Sequence, residues 1–126
     1  MNQRFIELGE GFGDIYELLE LLSSNSHRFL NAFIFNTVTE SGQPALSVAV
    51  AFSPGGASNF TPIYICREGI QPNSKRVKLF EESVKEIGRT PIKLDVKPSY
   101  LFADTRLYFN YLIGILRLNH YLPPLA

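Results

Sequence analysis

The sequence predicts an α+β domain, a mixed, mainly antiparallel sheet of four to five strands with three helices in the order (β)αβββαβα. Three observations carry this. Apolar residues fall at helical spacing in three separate stretches, strand-like runs lie between them, and the joining turn clusters are short. A chain of 126 residues, 45% of them hydrophobic, matches the size of one domain with its own core, so residues 1–126 are expected to form a single unit.

Residues 4–8 offer a short first strand, and whether it joins the sheet is left open. Three glycines, Gly9, Gly11 and Gly13, break it before Asp14 opens a helix to Ser24, with Ile15, Leu18, Leu19 and Leu22 on one face. Residues 28–38 and 45–53 read as a hairpin around Thr39–Pro44. The first of these strands is apolar on both faces, as a central strand is. The second places Leu46, Val48, Val50 and Phe52 on one face and Ala45, Ser47, Ala49, Ala51 and Ser53 on the other. Such a small-residue face suits a closely packed helix first, and a ligand groove or dimer seam second.

The turn cluster Ser53-Pro54-Gly55-Gly56-Ala57-Ser58-Asn59 precedes a third strand, Phe60–Cys66, in which Pro62 suggests an edge or a bulge. Gly69–Asn73 reads as a loop. Ser74 is the expected N-cap of a helix to Ile87, with Val77, Phe80, Val84 and Ile87 at helical spacing and Gly88 at its C-terminal end. Lys78 with Glu82 and Glu81 with Lys85 are opposite charges one turn apart on its exposed side. The next strand, Ile92–Lys97, alternates Ile92, Leu94 and Val96 inward against Lys93, Asp95 and Lys97 outward, and Pro98 ends it. The last helix, Ala103–Asn119, is the most apolar element. Its polar stripe of Arg106, Asn110, Gly114 and Arg117 is narrow, which predicts cover on most sides. Pro123-Pro124 closes the chain.

Composition narrows the function. Lys plus Arg and Asp plus Glu each number 12, giving a formal net charge of zero, so a nucleic-acid binder working through bulk charge is not expected. No leader-like segment and no membrane-spanning run stand out, which predicts a cytoplasmic address without a membrane partner. Cys66 is the one cysteine, so neither an internal disulfide nor a cysteine-based metal site can form. Charged residues at 19% and aromatic residues at 13% describe a core-rich chain with a thin polar skin, and little charge repulsion keeps copies apart.

Several patterns invite chemistry. The glycines at 9, 11 and 13 miss the dinucleotide fingerprint and have no Walker-type lysine, and Glu7, Glu10 and Asp14 around them would repel phosphate. Asp95-Val96-Lys97 has the short Asp-x-Lys form of metal-dependent nucleases, but a second carboxylate is needed, and Phe60–Cys66 carries none. His27 and His120 lack a partner one helical turn away, no serine elbow exists, and Cys66 in a strand reads as a small buried hydrophobe. The best-defined candidate is anion binding by Arg67, Asn73, Ser74, Lys75 and Arg76. Cationic residues in a first helical turn oppose the helix dipole, and an anion at the unpaired amides would relieve that.

The runs Arg4–Gly11 and Ile63–Ile70, with the tail Tyr111–Pro124, resemble a family of short uncharacterised proteins from bacilli, over essentially the whole chain. Some members bear the label methylthioribose kinase. The chain lacks the His-x-Asp loop, the Asp-Phe-Gly motif and the glycine-rich loop with a paired lysine that such a kinase uses. In element order, with Lys93–Pro98 before the last helix, the chain also resembles the cofactor half of the GCN5-type acetyltransferases. That resemblance implies a coenzyme A pyrophosphate held by a glycine-containing loop, but Gln71–Arg76 has no glycine, and Pro72 removes an amide donor. The leading expectation is therefore a non-enzymatic cytosolic binding or interaction domain, a homodimer without a cofactor. The alternative is a small acyltransferase-like enzyme, or a degenerate relative, binding a phosphorylated small anionic ligand.

Overall fold

The computed structural model describes residues 2–8, 12–55 and 60–122, apart from the side chains at 2, 12–14, 67 and 68. The elements run β1 (Asn2–Glu7), α1 (Phe12–Ser24), β2 (Phe29–Val38), β3 (Pro44–Phe52), β4 (Phe60–Ile70), α2 (Lys75–Glu86), β5 (Ile92–Asp95) and α3 (Thr105–Leu118). Short 3₁₀ turns at Ser26–Arg28 and Ser99–Leu101 lead into β2 and α3. The expected α+β class is what forms, with three helices on one mixed sheet. The glycine motif at 9–11, residues 56–59 of the turn cluster, and Pro123-Pro124 lie outside the described residues.

Among the described residues the sheet has five strands, in the order β1-β4-β3-β2-β5. Its centre is the antiparallel meander β2-β3-β4, and both flanks are parallel, β1 on β4 and β5 on β2. The first strand does join, pairing Asn2 through Glu7 with Phe60 through Ile65. The crossovers β1-α1-β2 and β4-α2-β5 each move three places along the sheet in the same direction. Parallel crossovers have one preferred hand, so two that travel the same way put their helices on the same face. Accordingly, Ile15, Leu18 and Leu22 of α1 and Val77, Phe80 and Val84 of α2 share a cluster with Ile34, Val48, Val50, Phe52 and Cys66. The opposite face, with Phe33, Phe35, Ala49, Ala51, Ile63 and Ile65, is covered by Tyr108, Leu112, Ile113 and Leu116 of α3.

Two differences from the sequence reading have local causes. β4 runs on to Ile70, so Gly69 belongs to the strand and the loop begins at Gln71. Val48 pairs with Cys66 while Leu46 pairs with Ile70, so β4 accommodates extra residues in a bulge, and Gly69 at φ 107° supplies a conformation that side chains resist. The second difference concerns α3. Cover on most sides was expected, but α3 rests on the sheet by one face, and Leu107 and Leu118 are 49% and 83% exposed. Of its polar stripe, Asn110 and Arg106 face solvent. The Arg117 Nε instead donates to Oε1 of buried Gln3 at 2.6 Å, tying α3 to β1.

The small-residue face of β3 takes the first of its readings. Ala49 and Ala51 are fully buried in the α3 cluster, so their missing bulk lets that helix sit close to the sheet.

Candidate functional site

β1, β4, β2 and β5 all point the same way, so their carboxyl ends form one edge, the usual place for a ligand site in sheets with helical crossovers. The segment from β4 to α2 lies on this edge. Ser74 is the N-cap of α2, extended at φ −76° and ψ 163°, and its Oγ accepts from Val77 N at a long 3.5 Å. The Ser74 N–H donates to Gln71 O at 3.2 Å, closing the turn, and its carbonyl accepts from Lys78 N at 3.1 Å. Asn73 takes a left-handed backbone, φ 63°, which asparagine tolerates better than most residues.

The candidate residues are thus gathered in part. Asn73, Ser74, Lys75 and Arg76 form one continuous turn and cap, with Asn73 and Lys75 exposed and Ser74 and Arg76 half-buried. No acidic residue sits in the first turn of α2, so Lys75 and Arg76 oppose the dipole as the sequence suggested. The backbone of Arg67 lies in the bulged part of β4, and its side chain is outside the described residues.

Beside this turn is a cleft of 180 Å³ between α2 and the sheet, walled by Ile34, Leu46, Pro72 and Val77, with Asn36, Glu81 and Lys93 as its charged and amide groups. Its residues come from β2, β3, α2 and β5, a grouping that only the folded chain reveals. A wider hollow of 480 Å³ between the ends of α1 and α2 collects Ser23, Ser26, His27, Ser83 and Glu86. His27 is exposed in its 3₁₀ turn, while His120, exposed at φ 63°, follows α3.

The remaining patterns resolve more simply. Asp95 stands opposite Asn36 on β5 with its side chain in solvent, and among the described residues no three of His, Cys, Asp and Glu gather where they could hold a metal ion. Cys66 is in no disulfide and is fully buried in the α1–α2 cluster. No helix of the described residues is long and apolar enough to cross a membrane.

What the sequence reading missed is the outer side of α3. Of the six large apolar side chains exposed among the described residues, Tyr100, Leu101, Leu107 and Leu118 lie on α3 or on the 3₁₀ turn before it, which makes this layer the main apolar surface. The signal was present in the spacing of Leu107 and Leu118. It was masked because an almost wholly apolar helix does not announce which of its sides is bare.

No curated protein and no solved structure matches the chain. The model of one family, described as a domain of unknown function (DUF7147), matches residues 1–122, and the chain belongs to that family.

Proposed function

We propose that this chain is a non-enzymatic binding or interaction domain that works in the cytosol as a homodimer. The observation that carries this reading is the concentration of exposed apolar side chains on the α3 layer of a chain with zero net charge. Copies of such a chain meet without net repulsion, and apolar area removed from water drives their association. The resemblance to short proteins of bacilli makes it a bacterial protein in this reading, and a lone buried Cys66 suits a reducing compartment. Light scattering over a range of protein concentrations tests it. Twice the chain mass is expected, and a monomer throughout would overturn the dimer.

A second reading rests on the cationic first turn of α2 at the carboxyl edge, where Asn73, Ser74, Lys75 and Arg76 would take a small phosphorylated ligand with help from Arg67. A degenerate relative of the acyltransferases is one form this takes. Coenzyme A, nucleotides and inorganic phosphate are then expected to raise the melting temperature, because a ligand that binds only the native state stabilises it by mass action. Absence of any shift, in wild type and in a Lys75→Ala/Arg76→Ala variant alike, would remove this reading.

A further inference from the structure

We propose that the cleft between α2 and the sheet binds a free α-amino acid with an aliphatic side chain, held by Asn36, Glu81 and Lys93. The site does not depend on the dimer, and it shares no residue with the anion reading at Arg67 and Asn73–Arg76. Alternation along the strands decides which side chains face the cleft. On β2, Phe33 and Phe35 pack against α3, so Ile34 and Asn36 face α2. On β5, Ile92 and Leu94 pack against α3, so Lys93 faces α2 as well. Ile34 pairs with Lys93 and Asn36 with Leu46, which joins β3, β2 and β5 into one floor. Val77 and Glu81 stand one turn apart on α2. Val77 is buried in the core, so Glu81 is carried to the same side, above that floor.

Asn36 is the observation that carries this. Asparagine is a poor strand former, yet it sits in β2, which has a strand on either side. It is half-buried, and its side chain has no hydrogen-bond partner among the described residues. Glu81 is half-buried and Lys93 exposed, and neither forms an ion pair among the described residues. An amide, a carboxylate and an ammonium group thus open onto one apolar-walled cleft without satisfying each other. A half-buried amide left in this state costs stability, and departures of this kind from local rules gather at functional sites.

The occupant follows from charge complementarity and size. Asn36 and Lys93 are diagonal neighbours on the floor, so both can donate to one carboxylate. Glu81, on the helix side, accepts from an ammonium group. Ile34, Leu46, Pro72 and Val77 offer contact to an apolar side chain. An α-amino acid carries all three parts on one carbon, and as a zwitterion it leaves the charges of Glu81 and Lys93 balanced. The cleft of 180 Å³ is smaller than the roughly 300–1,000 Å³ of pockets for drug-sized ligands, so it suits a molecule of this size and not a nucleotide.

An NMR titration of the isotope-labelled full chain with valine, leucine and isoleucine, each to about 10 mM, reads affinity and place together and spans a millimolar Kd. For at least one of the three, saturable shifts are expected at the amides of Asn36, Val77, Glu81 and Lys93. The same amino acid stripped of its ammonium group, or of its carboxylate, should bind wild type at least tenfold more weakly. For leucine these analogues are 4-methylpentanoate and 3-methylbutylamine, and this arm needs no variant to fold. Lys93→Met and Glu81→Gln should each weaken binding at least tenfold, whereas Glu82→Gln, on the exposed side of α2, should leave it unchanged. Asn36→Val should lose binding yet raise the melting temperature, because the unmet amide is gone. A lower melting temperature would assign that amide to the fold and overturn its role in binding. Analogues that bind as well as the amino acid would overturn the zwitterion. No saturable shift with any of the three amino acids would overturn the site, and light scattering and the phosphate melts would still decide the other two readings.

Discussion

The two faces of the sheet are covered in different ways. On one, α1 and α2 lie side by side and the core is mainly aliphatic, built from Ile15, Leu18, Leu22, Val48, Val77 and Val84. On the other, α3 is the one helix among the described residues, and rings fill the space. Phe33, Phe35 and Tyr108 are buried there, and Phe5, Phe102, Phe109, Tyr111 and Tyr121 pack against them. One helix cannot cover five strands, so wide side chains do what a second helix does opposite, each ring burying of the order of 150–250 Å². The lesson is that, among the described residues, ring packing is concentrated in one layer, with eight rings against Phe29, Phe52, Tyr64 and Phe80 in the other, and that this layer is also the one left with a bare apolar exterior.

The largest expected effects test whether the layers differ in rigidity. Phe80 on α2 and Phe33 on β2 are both fully buried. Truncating a core phenylalanine costs about 3–5 kcal/mol, and the figure depends on how far the surroundings can close the hole. Phe80→Ala, wedged between two helices and the sheet, is expected near the top of that range. Phe33→Ala is expected near the bottom, since α3 alone can settle inward. Urea denaturation of the two variants measures the difference, and a larger loss for Phe33→Ala would reverse the comparison.

The tie between α3 and β1 comes next. Arg117→Ala removes the donor that Gln3 Oε1 accepts at 2.6 Å, on a side chain only 8% exposed. A loss of about 1–2 kcal/mol is expected, because a buried acceptor deprived of a charged donor keeps its desolvation cost. Hydrogen exchange should show the loss concentrated in β1. Uniform loss across the sheet would mean that the bond does not localise the strand.

The α3 face also carries buried polar groups. The hydroxyls of Thr37 and Ser47 are buried and find no hydrogen-bond partner among the described residues. Because Thr37 pairs with Ala45 and Phe35 with Ser47, the two are diagonal neighbours on one face. Replacing Thr37 by the near-isosteric valine should stabilise the fold by about 1 kcal/mol, by removing an unmet desolvation cost. A destabilised Thr37→Val in thermal melts would show instead that a buried water serves the pair.

Much of the architecture was legible because it is local. Ser74 as a cap, Gly88 as the left-handed residue after α2 (φ 86°) and the inward side of Ile92, Leu94 and Val96 all follow from spacing within a few residues. What was not legible depends on partners far along the chain. Parallel pairing of Asn2–Glu7 with Phe60–Ile65 leaves no turn signal, and the extension of β4 depends on a bulge whose register β3 sets. Periodicity shows that α3 is apolar, but the number of helices sharing its face is settled by the direction of the two crossovers. Likewise Asn73–Arg76 could be read as one turn, whereas the cleft that adds Asn36, Glu81 and Lys93 draws on three further strands and a helix.

The smallest expected effect compares the caps of the two layers. Asp104 Oδ1 accepts from Leu107 N at 2.8 Å, whereas Ser74 Oγ accepts from Val77 N at 3.5 Å. The aspartate also places a negative charge at the positive end of α3, while the first turn of α2 holds Lys75 and Arg76 and no acid. Cap substitutions by alanine cost about 0.5–2 kcal/mol, so Asp104→Ala is expected near 1.5 and Ser74→Ala near 0.5. The inequality has a physical consequence for the anion reading. A weakly satisfied cap leaves amides able to take an external acceptor, so phosphate should stabilise Ser74→Ala more than wild type and lower the cost of that substitution further. Equal costs for the two caps, unchanged by phosphate, would show that the start of α2 is already satisfied and has nothing to offer a ligand.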